Sequence, residues 1–95
     1  MKCEIDGRMV ITELDFHNWW EKTFDLQGFY GKNLDALRDS LLGGVERPIH
    51  IDWINSGMSR ASMGESFNLI VKFFKEAQEH DQKFVPSERF TFTLK

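Results

Sequence analysis

Two aspartates, Asp35 and Asp39, stand four positions apart in the stretch Asn33-Leu34-Asp35-Ala36-Leu37-Arg38-Asp39. On a helix that spacing makes them neighbours on one face. Such a pair supports two chemistries: bridging a divalent cation, or presenting fixed anions to a cationic partner. Calcium takes six or more oxygens and magnesium an octahedron, so two acids alone make a poor site and no metal is expected. Like charges at this spacing cost a helix roughly a few tenths of a kcal/mol. Asp39 also falls near the C-terminal end, where the helix dipole disfavours an anion, and Asp is a weaker helix former than Glu. Helix stability alone does not explain Asp39. A solvated face on which Arg38 and Lys32 offset the acids is the other reading, and the chemistry leaves both open.

Catalytic chemistry finds little support elsewhere. The chain has no P-loop, dinucleotide fingerprint, nucleophile elbow or zinc spacing, so neither a catalytic residue nor a cofactor is expected. His17, His50 and His80 fall on separate elements. His50 and Asp52 share one strand face, where the carboxylate has the geometry to orient the imidazole, but solvated strand decoration is the expectation there.

The elements that position these groups follow from periodicity. Cys3 and Ile5 alternate with charged neighbours from Lys2 to Asp6, a short strand ended by an Asp6-Gly7 turn. Thr12 and Asp15 have capping-box spacing before a helix of about three turns marked by Phe16, Trp19, Trp20 and Phe24, an aromatic stripe read as core. Residues 25–32, with Gly28 and Gly31, form a loop. Asn33 caps a second helix from Leu34 to about Leu42, its apolar side Leu34, Leu37 and Leu41, terminated by Gly43-Gly44. After Pro48, Ile49, Ile51 and Trp53 alternate with His50 and Asp52 in a second strand. Residues 55–60 are polar and small and give one weak helical turn. Ser62 and Glu65 read as a capping box for a long helix with Phe67, Ile70, Val71, Phe74 and Ala77 inward. Residues 81–88 are a polar connection, and Phe90, Phe92 and Leu94 mark a final strand. Long helical connections predict parallel pairing. The fold class is therefore α/β, a small three-stranded parallel sheet covered by three to four helices, in a single domain over residues 1–95.

The 95 residues are 41% hydrophobic and include nine Phe and three Trp, enough for one real core. A net charge of −3 argues against direct nucleic-acid binding and is compatible with a basic partner. The lone cysteine, Cys3, fits a reducing compartment as a small buried residue. No apolar run has transmembrane length and the first residues, MKCEIDGR, lack a signal-peptide stretch, so a cytoplasmic protein without membrane contact is expected.

The stretch Phe29-Tyr30-Gly31-Lys32-Asn33-Leu34-Asp35-Ala36-Leu37-Arg38-Asp39-Ser40-Leu41 resembles the YYGxNLDALWDxL signature of the barstar family, intracellular inhibitors of barnase-type ribonucleases. The likeness continues through Gly43, Val45, Glu46, Pro48 and Trp53 and returns at Phe74, Glu76 and Ala77. It implies an inhibitor, monomeric when free, that inserts its second helix and the preceding loop into a ribonuclease cleft. The implied partner-binding residues are Phe29, Tyr30, Asn33, Asp35, Arg38, Asp39, Leu42, Gly43, Gly44, Val45, Glu46 and Glu76. Among them Asp39 is the main phosphate mimic, Asp35 bonds partner groups at the helix start, and Glu76 is a peripheral acid. The resemblance also implies a cis Arg47-Pro48 bond.

Three departures fall within this surface. Phe29 stands for the first Tyr of the signature, Arg38 for the Trp between the acids, and Gly44 for another Trp after the helix. Between Tyr30 and Arg47, Lys32, Arg38 and Arg47 equal Asp35, Asp39 and Glu46 in number, which predicts weak electrostatic steering. The alternative is an interaction module or immunity protein of the same fold whose toxin partner differs and need not be a nuclease.

Overall fold

The computed structural model describes residues 1–95. Three strands, β1 (Lys2–Asp6), β2 (Ile49–Ile54) and β3 (Phe90–Leu94), pair in parallel in the order β1-β2-β3. Four helices connect them: α1 (Glu13–Thr23), α2 (Leu34–Asp39), α3 (Ser56–Met63) and α4 (Glu65–Phe84). The period-two pattern sends Cys3, Ile5, Ile49, Ile51, Trp53 and Phe90 into one face of the sheet, where they join Phe16, Trp20, Leu37, Leu41, Phe67, Ile70 and Phe74 in a single core. Phe16 stacks on Trp53 with ring centroids 5.7 Å apart, and Phe74 meets Phe90 edge-on at 5.2 Å. The aromatic stripe of α1 is thus the centre of the fold. No helix is long and apolar enough to cross a membrane.

The Thr12 capping box forms as its spacing predicts, with the Thr12 side chain accepting from the Asp15 N–H at 3.0 Å. Three other local readings change. Ser62 and Glu65 do not form a capping box, because α3 runs through Met63 and Gly64, at φ 59°, separates it from α4. Two short buried hydrogen bonds support this longer α3. Trp53 Nε1 donates to Ser59 Oγ at 3.0 Å, and that hydroxyl donates to the Val10 carbonyl at 2.8 Å. Second, α4 continues to Phe84, so Asp81 is helical and buried rather than part of a polar connection.

Third, Gly43-Gly44 does not end the second helix through a left-handed glycine. After Asp39 the helix widens into a π-turn over Ser40–Gly44, and Val45 leaves in an extended conformation. The Arg47-Pro48 bond that follows is cis. Gly7 is placed by close approach, since a Cβ there would lie 1.9 Å from the Asn55 carbonyl oxygen.

Candidate partner-binding surface

Lys32, at φ 53°, turns the chain into α2, and Asn33 caps it by accepting the Ala36 N–H on Oδ1 at 2.8 Å. Leu37 is wholly buried and anchors the helix against the core, which leaves Asp35, Arg38 and Asp39 facing out. The π-turn then seats Ser40 and Leu41 inward together. Ser40 Oγ accepts the buried Trp20 Nε1–H at 2.9 Å. Taking up an additional residue in this turn leaves Leu42, Gly43 and Gly44 exposed as a ledge beyond the helix.

Neither Asp35 nor Asp39 has an ion-pair partner within the chain. Asp39 borders an open depression of about 350 Å³ whose other walls include Leu26, Phe29 and Gly44. Phe29 is 91% exposed, an arrangement that costs free energy in water and leaves a large apolar contact free. On the opposite side of α2, Arg38, Leu42 and Glu76 surround a smaller hollow with Phe73. The fold thereby brings Glu76, from α4, onto the same surface as the α2 residues. The Arg38 guanidinium lies over the Phe73 ring, 5.8 Å from its centroid.

Phe29, Asn33, Asp35, Arg38, Asp39, Leu42, Gly43, Gly44, Glu46 and Glu76 are all exposed. Tyr30 and Val45 are not. Tyr30 is 9% exposed, with its hydroxyl turned inward onto His17, and Val45 is a core residue. The adjacent Phe29 and Tyr30 therefore part, one to solvent and one to the interior.

The charge balance also changes in three dimensions. Lys32 lies 3.5 Å from Glu21, and Arg47 is folded inward against Asp81 at 2.8 Å. Of the cations between Tyr30 and Arg47, only Arg38 remains without an acidic partner, against Asp35, Asp39 and Glu46 of the same segment, while Glu76 on α4 has the exposed Lys72 and Lys75 beside it. Residues 30–47 are more acidic than their composition indicates.

Two polar clusters have other roles. Buried His17 sits between Tyr30 and Glu13, its Nε2 2.9 Å from Glu13 Oε2, and Ser66 donates to the second Glu13 oxygen at 2.8 Å. Periodicity gave no sign of this network, because His17 occupies an apolar helix position. On β2, His50 and Asp52 are not solvated decoration. Asp52 is 6% exposed and is ringed by His50 at 2.9 Å, Lys95 at 3.4 Å and Lys2 at 3.6 Å, while His50 Nδ1 meets Thr91 Oγ1 at 2.7 Å. The bond from His50 leads the effects that hold the Asp52 carboxyl below its usual range. Every side chain in this cluster is engaged by its neighbours, which makes it a cross-strand tie on the sheet face away from the helices.

Comparison with known proteins bears on the chain as a whole. A family model described as Barstar (barnase inhibitor) matches residues 1–94. A Bacillus subtilis (strain 168) protein named "Putative ribonuclease inhibitor YrdF" is 33% identical over 78 residues, covering 82% of this chain and 86% of the relative.

Proposed function

The chain belongs to the barstar family, and on that premise we propose that it inhibits a ribonuclease by placing Asp39 and Asp35 where the enzyme binds RNA phosphates. The observation that carries this reading is the pair of exposed carboxylates on a capped, core-anchored helix, neither of them neutralised by the chain itself. A ribonuclease cleft holds cations and hydrogen-bond donors arranged for phosphate. An anion fixed on a rigid element meets them with charge-assisted hydrogen bonds and little ordering cost. Asp39, between the Phe29 depression and the Leu42–Gly44 ledge, is the principal mimic. Asp35 supports it from the helix start, and Glu46 and Glu76 add acid at the margin. Phe29 supplies the apolar contact and Asn33 shapes the helix entrance. Tyr30 and Val45 act from beneath the surface, by holding the loop and ledge in place.

Arg38 gives a second reading its footing. A cation between the two acids favours a partner with an acidic group at that point, such as a different toxin, which need not be a nuclease, for which this chain is the immunity protein. Co-expression with barnase, and with ribonucleases encoded beside this gene, tests the proposal by rescue of growth. Rescue by the wild-type chain is expected with at least one such enzyme. If none is inhibited in the cell or as purified protein, and pull-down from the native cytosol recovers only partners that are not nucleases, the ribonuclease reading fails.

A further inference from the structure

Arg47 follows the proposed contact surface directly yet contributes no free charge to it. Its guanidinium is turned inward, 14% exposed, and Nε donates to Asp81 Oδ2 at 2.8 Å, the Asp81 side chain being 4% exposed. Nη1 donates to the Val45 carbonyl at 2.8 Å and Nη2 to the Leu41 carbonyl. The group also lies over the Phe90 ring, 5.8 Å from its centroid. Asp81 is held in turn, because Oδ2 also accepts the Phe90 N–H at 2.8 Å and Oδ1 lies 3.3 Å from His80 Nδ1. One planar cation thus ties the π-turn and its exit to α4 and β3.

The last carbonyls of a helix have no partners within it, and a cation there also complements the dipole. Arg47 supplies both. The stretch it closes needs an external restraint, since Leu42, Gly43 and Gly44 are exposed and two successive glycines lose the most backbone freedom on ordering. A buried ion pair adds little net stability over apolar packing, so its chief effect here is on geometry.

We propose that Arg47, anchored by Asp81, is a positioning residue that holds residues 39–46 in the conformation a partner meets. The proposal rests on the ribonuclease-inhibitor reading for its consequence in binding, but the clamp itself can be tested in the free protein. Arg47→Lys keeps the charge and loses the planar fork, and Asp81→Asn keeps the shape and loses the charge. In each, amide exchange at Gly43, Gly44 and Glu46 is expected to rise by on the order of ten-fold or more relative to the amides of Ile70 to Phe74 in α4. A defect that only lowered global stability would accelerate both sets together.

With barnase as the probe ribonuclease, Arg47→Lys is expected to weaken inhibition and to shrink the fold-loss caused by Asp39→Ala by roughly three-fold or more, because two groups that do not touch become coupled through the segment between them. Unchanged exchange at Gly43 and Gly44 in a folded variant, or strictly additive losses with Asp39→Ala, overturns the proposal. Faster segment exchange in a chain whose wild type leaves barnase uninhibited supports the clamp and counts instead against barnase as target, so the two failures are distinct. If Arg47→Lys does not fold, Asp81→Asn carries both measurements.

Discussion

The Tyr30 hydroxyl lies 2.6 Å from His17 Nδ1, inside the protein, although the neighbouring Phe29 ring stands in solvent. With the Glu13 carboxylate at its Nε2, the tautomer that carries the ring proton there accepts the Tyr30 O–H on Nδ1. Burial, reinforced by Glu13 and Glu21, pushes the Tyr30 phenol above its usual pKa, so it remains a donor at any ordinary pH. Tyr30→Phe leaves a buried acceptor unpaired. It is expected to lower unfolding free energy by about 1–3 kcal/mol in denaturant titration. Phe29→Ala, which removes an exposed ring, is expected to leave that titration within about 0.5 kcal/mol and to act on partner binding instead.

Asp39→Ala separates binding from folding. The side chain is exposed and unpaired within the chain, so the midpoint of unfolding is expected to move little. A buried anion at the centre of an interface costs about 2 kcal/mol or more when removed, or roughly thirty-fold in affinity. Titration of the inhibited ribonuclease measures the loss. Inhibition unchanged by Asp39→Ala would falsify its role as phosphate mimic.

Between Tyr30 and Arg47, Arg38 is the one cation without an acidic partner. Replacing it by Gln makes the surface more anionic and is expected to raise the association rate with a cationic ribonuclease about two- to five-fold at low salt, with a steeper fall as ionic strength rises. Stopped-flow association at several salt concentrations checks this. A lower rate would indicate that Arg38 meets an acid on the partner, as the second reading requires.

Acid should weaken the fold through four carboxyls, one of them Asp6, which the Arg8 side chain and N–H and the Asn55 amide hold far below its usual range. The His17 hydrogen bond outweighs burial at Glu13, and the His50 bond does so at Asp52. Burial pushes Asp81 up, but Arg47, the Phe90 N–H and His80 together hold it below its usual range. Each folded-state pKa is therefore lower than the unfolded value of about 4. The resulting stability is fully present above that unfolded value and is lost as pH falls through the folded one. Denaturation midpoints measured from pH 6 downward should decline on entering this range, and Asp81→Asn should make the decline shallower. An equal acid slope in that variant would mean Asp81 contributes nothing to it.

Much of the fold is legible along the chain because it depends on local rules. Alternation at Ile49, Ile51 and Trp53 and at Phe90, Phe92 and Leu94 marks strands. Spacing from Phe67 to Ala77 marks the long helix, and Thr12 with Asp15 and the lone Asn33 mark helix starts. The outward placement of Asp35 and Asp39 was legible for a related reason: an N-cap, an apolar stripe and two acids coincide within a few residues, and the stripe dictates which way the acids face.

Long-range relations were not legible in the same way. Nothing local distinguishes Phe29 from Tyr30, and only the distant His17 sends one inward. Asp81 read as a polar linker because its partners, Arg47 and the Phe90 N–H, come from other elements. Gly43-Gly44 suggested a helix end, whereas the packing of Ser40 under Trp20 and the hold of Arg47 on Leu41 and Val45 accompany a π-turn. Sequence alone determined the three strands, the starts of α1 and α2 and the outward placement of Asp35 and Asp39, since periodicity is a property of neighbours. Tertiary structure alone decided which charges remain free, because an ion pair depends on distance in space between residues far apart in the chain.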